Sequence, residues 1–172
     1  MDAHRMIRRE TMERFLRVAT TPRMASLVTF HAEHKLLLLA YNETGYRSCG
    51  RIVANHGRLP VTRVLEDYGR ELNELLKTPF ARQSMVNSLQ HGYGWLANKL
   101  DAADRKTLLQ AIEAYRNRQI SLQTVTTLLR QQALHHCHSY LLSQQLLHLC
   151  LQHGQPVDPL TPGGCRAAQV SG

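Results

Sequence analysis

The chain has 172 residues, of which 43% are apolar, and its 21 basic against 13 acidic residues give a net charge of +8. That length corresponds to about one domain and is enough to bury a core without disulfides or metals. The apolar content excludes a wholly disordered protein. The excess of basic residues favours a polyanionic partner, either nucleic acid or an anionic membrane surface.

No apolar run approaches the roughly 20 residues that cross a bilayer. The longest is Leu36–Tyr41, and charged residues interrupt the N-terminal region where a signal peptide would be apolar. We therefore expect a cytoplasmic protein with no membrane partner. The cysteines form no CxxC pair, so we expect reduced thiols rather than a disulfide framework. They are Cys49, Cys137, Cys150 and Cys165.

Apolar residues recur at helical spacing along nearly the whole chain, and no segment alternates with the period of two that is typical of strands. The sequence predicts an all-α single domain of about seven to eight packed helices over residues 1–153, with 154–172 as a disordered tail. The expected helices are about Ile7–Val18, Pro22–Tyr41, Glu43–His56, Pro60–Leu76, Phe80–Leu100, Ala102–Asn117, Leu122–Leu134 and Ser139–His153. Asn42, Asp101 and Ser121 are the expected caps of three of them.

Several glycines fall inside these expected helices, where each costs up to about 1 kcal/mol relative to alanine. They are Gly45, Gly50, Gly92 and Gly94. Two explanations stay open for them. Either two helices touch closely at the glycine, or a ligand approaches the backbone there.

Basic residues accumulate between Tyr46 and Val64, where the sequence has four arginines and no acid. The four are Arg47, Arg51, Arg58 and Arg63. Because Arg47, Arg51 and Asn55 are spaced by four, they share one face of the expected third helix. Spaced cations without nearby acids are typical of a phosphate-binding surface, and a solvated face is the alternative. A further alternative makes Arg47 and Arg51 buried partners of the acids on the following helix.

The expected second helix has His31, His34 and Lys35 on one polar face. The histidines are either hydrogen-bonded at the edge of the core or available for proton transfer. No HExxH motif or carboxylate pair completes a zinc site, so we expect no metal here.

Amide and imidazole groups occur at helical spacing on the expected fifth helix, at Asn87, Gln90 and His91. Such groups read base edges or hold a partner helix. Trp95 follows one turn later, either as a core residue or as a platform on which a base stacks.

Half of the histidines lie within residues 135–153, together with Cys137 and Cys150. Neighbouring residues on a helix point in different directions, and the spacing matches no closed tetrahedral set. We expect surface histidines, with no metal and no other cofactor. They are His135, His136, His138, His148 and His153.

The segment Phe30–Ala40, FHAEHKLLLLA, resembles the opening signature of the YbgA-like family, a domain of unknown function. Four further blocks are similar to that family in order along the chain. They are Tyr46-Arg47 with Gly50-Arg51 and Val53-Ala54-Asn55; Leu65 and Tyr68; Arg82, Val86-Asn87, Leu89-Gln90-His91 and Gly94; and Tyr115-Arg116. The resemblance spans about Leu27–Leu129. Beyond it, the family's usual ending is replaced by the His-rich segment, with Tyr140-Leu141 and Gln144 as a candidate remnant.

The resemblance implies a role with RNA. Members of the family occur alone and also fused behind a cysteine-rich desulfidase-type domain that acts on thiolated uracil, including 4-thiouridine in tRNA. In the fused form, the YbgA-like part is interpreted as an RNA-holding module. This chain has no cysteine set able to hold an iron–sulfur cluster, so it is not expected to desulfurate RNA itself, and a desulfidase-type enzyme is a candidate partner.

Resemblance and residue pattern together favour a non-catalytic module that binds RNA, tRNA above all, and works with a separate enzyme. The residues expected to bind RNA are Lys35, Arg47, Arg51, Asn55, Arg58, Arg82, Asn87, Gln90, His91 and Arg116. Two alternatives stay open: a small enzyme that uses His31, His34 or His91 as acid or base, and a module that docks an acidic protein. If these histidines line an RNA pocket, binding should tighten between about pH 7.5 and 6, because imidazolium attracts phosphate.

Overall fold

The computed structural model of the chain describes the backbone of residues 3–152, which forms ten helices and no strand, and the side chains of residues 4–149. The helices are α1 (Ala3–Thr20), α2 (Met24–Glu33), α3 (Lys35–Tyr41), α4 (Glu43–Ala54), α5 (Val61–Leu75), α6 (Arg82–Leu96), α7 (Ala102–Arg116), α8 (Leu122–His135), α9 (Ser139–Leu142) and α10 (Gln145–Gln152). The predicted all-α fold is confirmed, since each of the eight expected helices is present and two of them are broken into two. Within residues 3–152, no helix is both long and apolar enough to cross a membrane. The expected tail lies outside the described residues.

The three expected caps are confirmed by their hydrogen bonds. The Asn42 side chain accepts from the backbone N–H of Thr44 at 2.8 Å. Asp101 accepts from the N–H of Asp104 at 2.7 Å, and Ser121 accepts from the N–H of Thr124 at 3.1 Å. Each bond satisfies a donor that the first turn of its helix leaves without a partner, so these helix starts follow from local sequence.

The prediction of one continuous helix over Pro22–Tyr41 is wrong, because the helix breaks at His34, whose φ and ψ are −93° and 2°. A side chain from the far end of the chain occupies the break. The Gln144 amide oxygen accepts from Leu36 N–H at 3.1 Å, and its amide nitrogen donates to the carbonyl of Ala32 at 3.0 Å. In an unbroken helix these two backbone groups would bond each other. Gln144 replaces that bond and is itself fully buried.

The expected last helix, Ser139–His153, also breaks next to Gln144, between Leu142 and Gln145. Two expected helices are shorter than predicted. The third ends at Ala54 rather than His56, because Asn55 adopts a left-handed conformation with φ of 43°. The fifth covers Arg82–Leu96 rather than Phe80–Leu100.

Helix α3 lies at the centre of the fold and packs against α4, α6 and α10. Every residue from Leu36 to Tyr41 is buried, which explains its uninterrupted apolar sequence. Two glycines permit close contacts around this centre. An added Cβ would lie 3.0 Å from Leu129 at Gly92 and 2.6 Å from Leu75 at Gly45, so close helix contact explains both positions.

Candidate functional site

Several polar residues expected to act together line one cleft of about 430 Å³ between α6 and the start of α4. We call this cleft the polar cleft. It is lined by Glu43, Asn87, Gln90, His91, Gly94 and Trp95. The side chains of Asn87, Gln90 and His91 are exposed, and the Asn87 amide oxygen accepts from the Gln83 amide at 2.9 Å. The Asn87 amide nitrogen and the polar groups of Gln90 and His91 face solvent and are available to a ligand. A Cβ at Gly94 would meet nothing within 4 Å, and this glycine therefore has no packing role.

Trp95 is a partly buried residue of the cleft wall rather than a fully buried core residue. The Lys35 ammonium lies 5.3 Å from the centre of its ring, within the range of a cation–π interaction. Tyr140 packs on Trp95 with ring centres 4.9 Å apart and donates its hydroxyl to the carbonyl of Ala32. A cation and two aromatic rings therefore adjoin the cleft.

His31 is placed next to Lys35 by residues of α4 and α5. Its ring stacks parallel on Tyr46, with centres 5.1 Å apart and planes 2° apart. Its Nδ1 lies 3.0 Å from the hydroxyl oxygen of Tyr68. One turn after Tyr46, Gly50 lies beside the tip of the ring. We call His31, Tyr46, Gly50 and Tyr68 the histidine niche.

The hydroxyl of Tyr68 determines which nitrogen of His31 carries the proton. Tyr68 is fully buried, and burial raises the pKa of its hydroxyl, so the group keeps its hydrogen. Its hydrogen-bond partner among the described residues is His31 Nδ1, so Tyr68 donates and the proton of the neutral ring lies on Nε2. Burial, and secondarily the charge of Lys35, lowers the pKa of His31 to about 4, so the ring is neutral near pH 7.

His34 has the opposite arrangement and is not part of the same site. It is 1% exposed, and its Nδ1 donates to the carbonyl of Phe30 at 2.7 Å, which leaves Nε2 as an acceptor. That Nε2 is enclosed and has no hydrogen-bond partner within the described part of the chain. Burial is the main cause that lowers the pKa of His34 to about 4.

One expectation for these histidines is therefore wrong, and a second no longer includes His31 and His34. His31, His34 and Lys35 do not share one helix face, because the helix breaks at His34, which leaves His31 in α2 and Lys35 in α3. His34 lines a cavity with Arg14 and Arg17 of α1. Tighter binding between pH 7.5 and 6 cannot come from His31 or His34, since both stay neutral over that range. Of the three histidines in that expectation, His91 alone is left.

The arginines of α4 are on the surface beside the polar cleft. Arg47 is exposed and pairs at 2.6 Å with Glu43, whose side chain lines the cleft. Arg51 is also exposed, and no carboxylate lies within 4 Å of it among residues 4–149. The alternative in which Arg47 and Arg51 are buried partners of acids on the following helix is wrong. The expectation that no nearby acid cancels these charges fails for Arg47, and also for Arg63, which pairs with acids of α5.

Two further expected RNA-binding residues lie in the loop after α4. The side chain of Asn55 accepts from Leu59 N–H at 2.8 Å and donates to the Leu59 carbonyl at 3.0 Å, so its amide holds the loop together. Arg58 is exposed in that loop and has a positive φ of 50°. Its side chain is on the surface, while that of Asn55 is used by the fold.

Arg82 connects α6 to the end of α7, whereas the ion pair of Arg116 lies within α7. Arg82 donates to the carbonyl of Tyr115 at 2.7 Å, and its guanidinium lies 4.5 Å from the centre of the Tyr115 ring. Arg116 pairs with Glu113 at 2.7 Å, and its Nε is enclosed. Both residues have structural contacts, and neither lines the polar cleft.

Histidines near the C-terminal end of the described chain are used for local structure. His138 Nδ1 accepts from the N–H of Leu141 at 3.2 Å, and His148 donates to the carbonyl of Leu142 at 2.7 Å. Among the residues that the structure describes, no three His, Cys, Asp or Glu side chains are grouped so that they could hold a metal ion. His153 and the side chain of Cys150 lie outside those residues, so the absence of a metal stays a prediction.

Sequence comparison assigns the family. A family model described as protein of unknown function (DUF1722) matches residues 35–149, and the chain belongs to this family. The chain is also similar to the protein of Escherichia coli (strain K12) named "Uncharacterized protein YbgA", with 28% identity over 92 residues. That match covers 53% of this chain and 54% of the relative, so the chain spans about half the length of the curated relative it matches. The YbgA-like resemblance is thereby confirmed, and no solved structure matches the chain.

Tyr46 and Tyr68 are not among the residues that the sequence predicts to form a site, and Gly50 is predicted only as one of several positions where a ligand could approach the backbone. Each of the three belongs to a block that resembles the family. One signal was present in the sequence. Tyr46 and Gly50 are four residues apart and so share a helix face, which places an aromatic ring beside an open position. The contact with Tyr68 joins positions 37 residues apart and has no local signal.

Proposed function

We propose that this chain is a non-catalytic cytoplasmic module that binds RNA, tRNA above all, and works with a separate enzyme of thiolated-nucleoside or nucleic-acid metabolism. The observation that supports this most is the convergence of Asn87, Gln90 and His91 with Trp95 and Lys35 at one open cleft. Amide and imidazole groups match the edges of bases, and an aromatic wall offers a stacking surface. A cation beside them suits the phosphate that accompanies every base.

The charge around the cleft supports the same proposal. Arg47 is at its edge, and Arg51 lies one turn further along α4. The pair between Arg47 and Glu43 is exposed, and such pairs contribute about 1 kcal/mol or less. A phosphate can therefore replace Glu43 as the partner of Arg47 at little cost. With a net charge of +8, the whole chain attracts a polyanion at long range.

The RNA species and the partner are proposed from the family resemblance. Because the family resemblance implies members fused behind a desulfidase-type domain, we propose that the RNA is tRNA and that the partner enzyme is of that desulfidase type. Purification from cells without nuclease, followed by sequencing of the bound nucleic acid, tests the ligand directly. Recovery of no RNA, or of DNA alone, contradicts the proposal.

A paired variant tests the polar cleft as the binding site. Asn87→Ala with Gln90→Ala removes two exposed amides from the cleft, and the matched control Gln110→Ala with Gln131→Ala removes two exposed amides from α7 and α8. In a fluorescence titration with tRNA at about 50 mM salt, we expect roughly tenfold weaker binding for the cleft variant. The control variant should bind as the wild type does. Equal affinity of all three proteins would show that the cleft is not the binding site.

A further inference from the structure

His31 presents a rigid hydrogen-bond donor at the edge of the histidine niche. Its ring is held by parallel stacking on Tyr46 and by the bond from the Tyr68 hydroxyl, and the rings of His31 and Tyr68 also meet edge to face at 86°. The proton on Nε2 has no protein acceptor among residues 4–149, and unlike His34 Nε2 this atom is not enclosed. A fixed and unused donor at an accessible position suits an external acceptor.

Gly50 leaves the edge of that ring uncovered. A Cβ at this position would lie 3.5 Å from His31 Nε2 and 4.0 Å from Cε1, which are ordinary contact distances. Packing therefore does not require glycine here, in contrast to Gly45 and Gly92, where a Cβ would meet a neighbouring side chain at 2.6 and 3.0 Å. Glycine inside a helix costs about 1 kcal/mol relative to alanine. The absence of a side chain at Gly50 leaves open space beside His31 Nε2.

Lys35, the first residue of α3, supplies a second donor, and its ammonium lies 5.3 Å from the centre of the Trp95 ring. It follows His31 by four residues, and its charge is close enough to lower the pKa of that ring. Neither side chain forms an ion pair with a carboxylate in the described part of the chain. A lysine ammonium binds phosphate as a point charge, and a neutral imidazole N–H beside it donates without adding charge repulsion.

We propose that His31 Nε2–H and Lys35 Nζ form a phosphate subsite, which binds one backbone phosphate of the RNA whose base occupies the polar cleft. This rests on the proposed function, because it takes the ligand to be RNA. Lys35 joins the two regions, since its ammonium lies over Trp95 of the cleft wall. Tyr68 is a positioning residue that keeps the proton on the outer nitrogen of His31.

The variant Gly50→Ala tests the subsite without threatening the fold. The new methyl group fits at 3.5 Å and improves helix propensity, so the melting temperature should stay equal or rise. The same methyl group crowds the approach to Nε2, so affinity for tRNA should fall by about tenfold, as expected for one lost hydrogen bond to a charged group. Gly57→Ala is the matched control, because its Cβ would meet only Leu59, at 3.8 Å.

Imidazole 15N spectra provide a second measurement. A purely structural role of His31 would give no change in these spectra when phosphate is added. In the free wild-type chain at pH 7, His31 should show a protonated Nε2 and a bare Nδ1, and inorganic phosphate should shift its Nε2 signal. In Tyr68→Phe the proton should distribute over both nitrogens, and the phosphate shift should weaken. A shift caused by nonspecific charge alone would be equal in Gly50→Ala, and that result would overturn the subsite.

The outcomes separate this proposal from the one on which it rests. If tRNA binds, the cleft variant weakens binding and Gly50→Ala binds as the wild type does, the subsite is wrong and the proposed function stands. If tRNA does not bind while phosphate shifts His31 Nε2 in the wild type and not in Gly50→Ala, the anion site stands and RNA is not its ligand.

Discussion

The two sides of the C-terminal end of helix α2, which carry His31 and the cap residue His34, use the same residue type in opposite ways. On the side of α4, His31 Nδ1 accepts a hydrogen bond from a hydroxyl, and the ring presents Nε2–H at an accessible edge. On the other side, His34 Nδ1–H donates a hydrogen bond to a carbonyl, and its Nε2 is enclosed. Burial lowers the pKa of both to about 4. What differs is the partner of Nδ1, and that partner decides whether a neutral histidine offers a donor to a ligand or serves the core.

Gln144 maintains the separation between these two sides, because it replaces the helical bond between Ala32 and Leu36. Replacing it with leucine leaves both backbone groups buried without partners, each at a cost of about 1–3 kcal/mol. We expect Gln144→Leu to lower the free energy of unfolding by about 2–5 kcal/mol in urea denaturation. The control Gln131→Leu changes an exposed residue of α8 and should stay within about 0.5 kcal/mol. A Gln144→Leu variant as stable as the wild type would mean that the helix closes without the amide.

Acid should destabilise the fold through both histidines. In the unfolded chain they bind protons near pH 6.5, and in the folded chain only near pH 4, so the unfolded state takes up more protons between these values. The contribution of the two neutral rings to stability is therefore fully present above about pH 6.5 and declines as the pH falls toward 4. The decline is at most about 3.4 kcal/mol for buried His34 and smaller for His31, which is partly exposed to solvent. Melting temperatures across this range should decline less in His31→Gln and in His34→Gln. The exposed control His56→Gln should follow the wild type, and a flat wild-type profile would contradict the prediction.

The hydroxyl of Tyr68 should affect one side of α2 and leave the other unchanged. Tyr68→Phe removes the donor to His31 Nδ1, and we expect a loss of about 1 kcal/mol in the free energy of unfolding. Imidazole 15N spectra should show a changed proton distribution at His31 and an unchanged spectrum at His34. If both histidines changed together, the two sides would be coupled through the core rather than independent.

The smallest expected effects concern the arginines outside the histidine niche. Arg51→Gln should flatten the log–log salt dependence of tRNA binding by about 0.7 to 0.9, as expected for one lost phosphate contact. Arg47→Gln should flatten it less, because Glu43 already pairs with Arg47. The loss of affinity should be similar for different RNA sequences, because phosphate contacts do not read bases. Helical content should be unchanged, because both arginine side chains are exposed. Arg105→Gln, an exposed change on α7, is the control, and an equal effect there would mean that binding is nonspecific.

Local sequence determined much of this molecule. Helical periodicity and the caps at Asn42, Asp101 and Ser121 predicted the helices, because each cap bonds a backbone group two or three residues away. The spacing of Asn87, Gln90 and His91 also predicted a shared polar surface, since residues three and four apart are neighbours on a helix. Such features depend on atoms that are close along the chain.

Only the tertiary structure decided the rest, because it depends on contacts between distant residues. Gln144 meets Leu36 across 108 positions, and this contact replaces a helical bond that periodicity alone favours. Tyr68 contacts His31 across 37 positions of the chain and determines which nitrogen of the His31 ring carries the proton. A pattern of residue types shows that a histidine lies on a helix face. Which of its nitrogens carries the proton depends on whether folding brings a hydroxyl or a carbonyl to it.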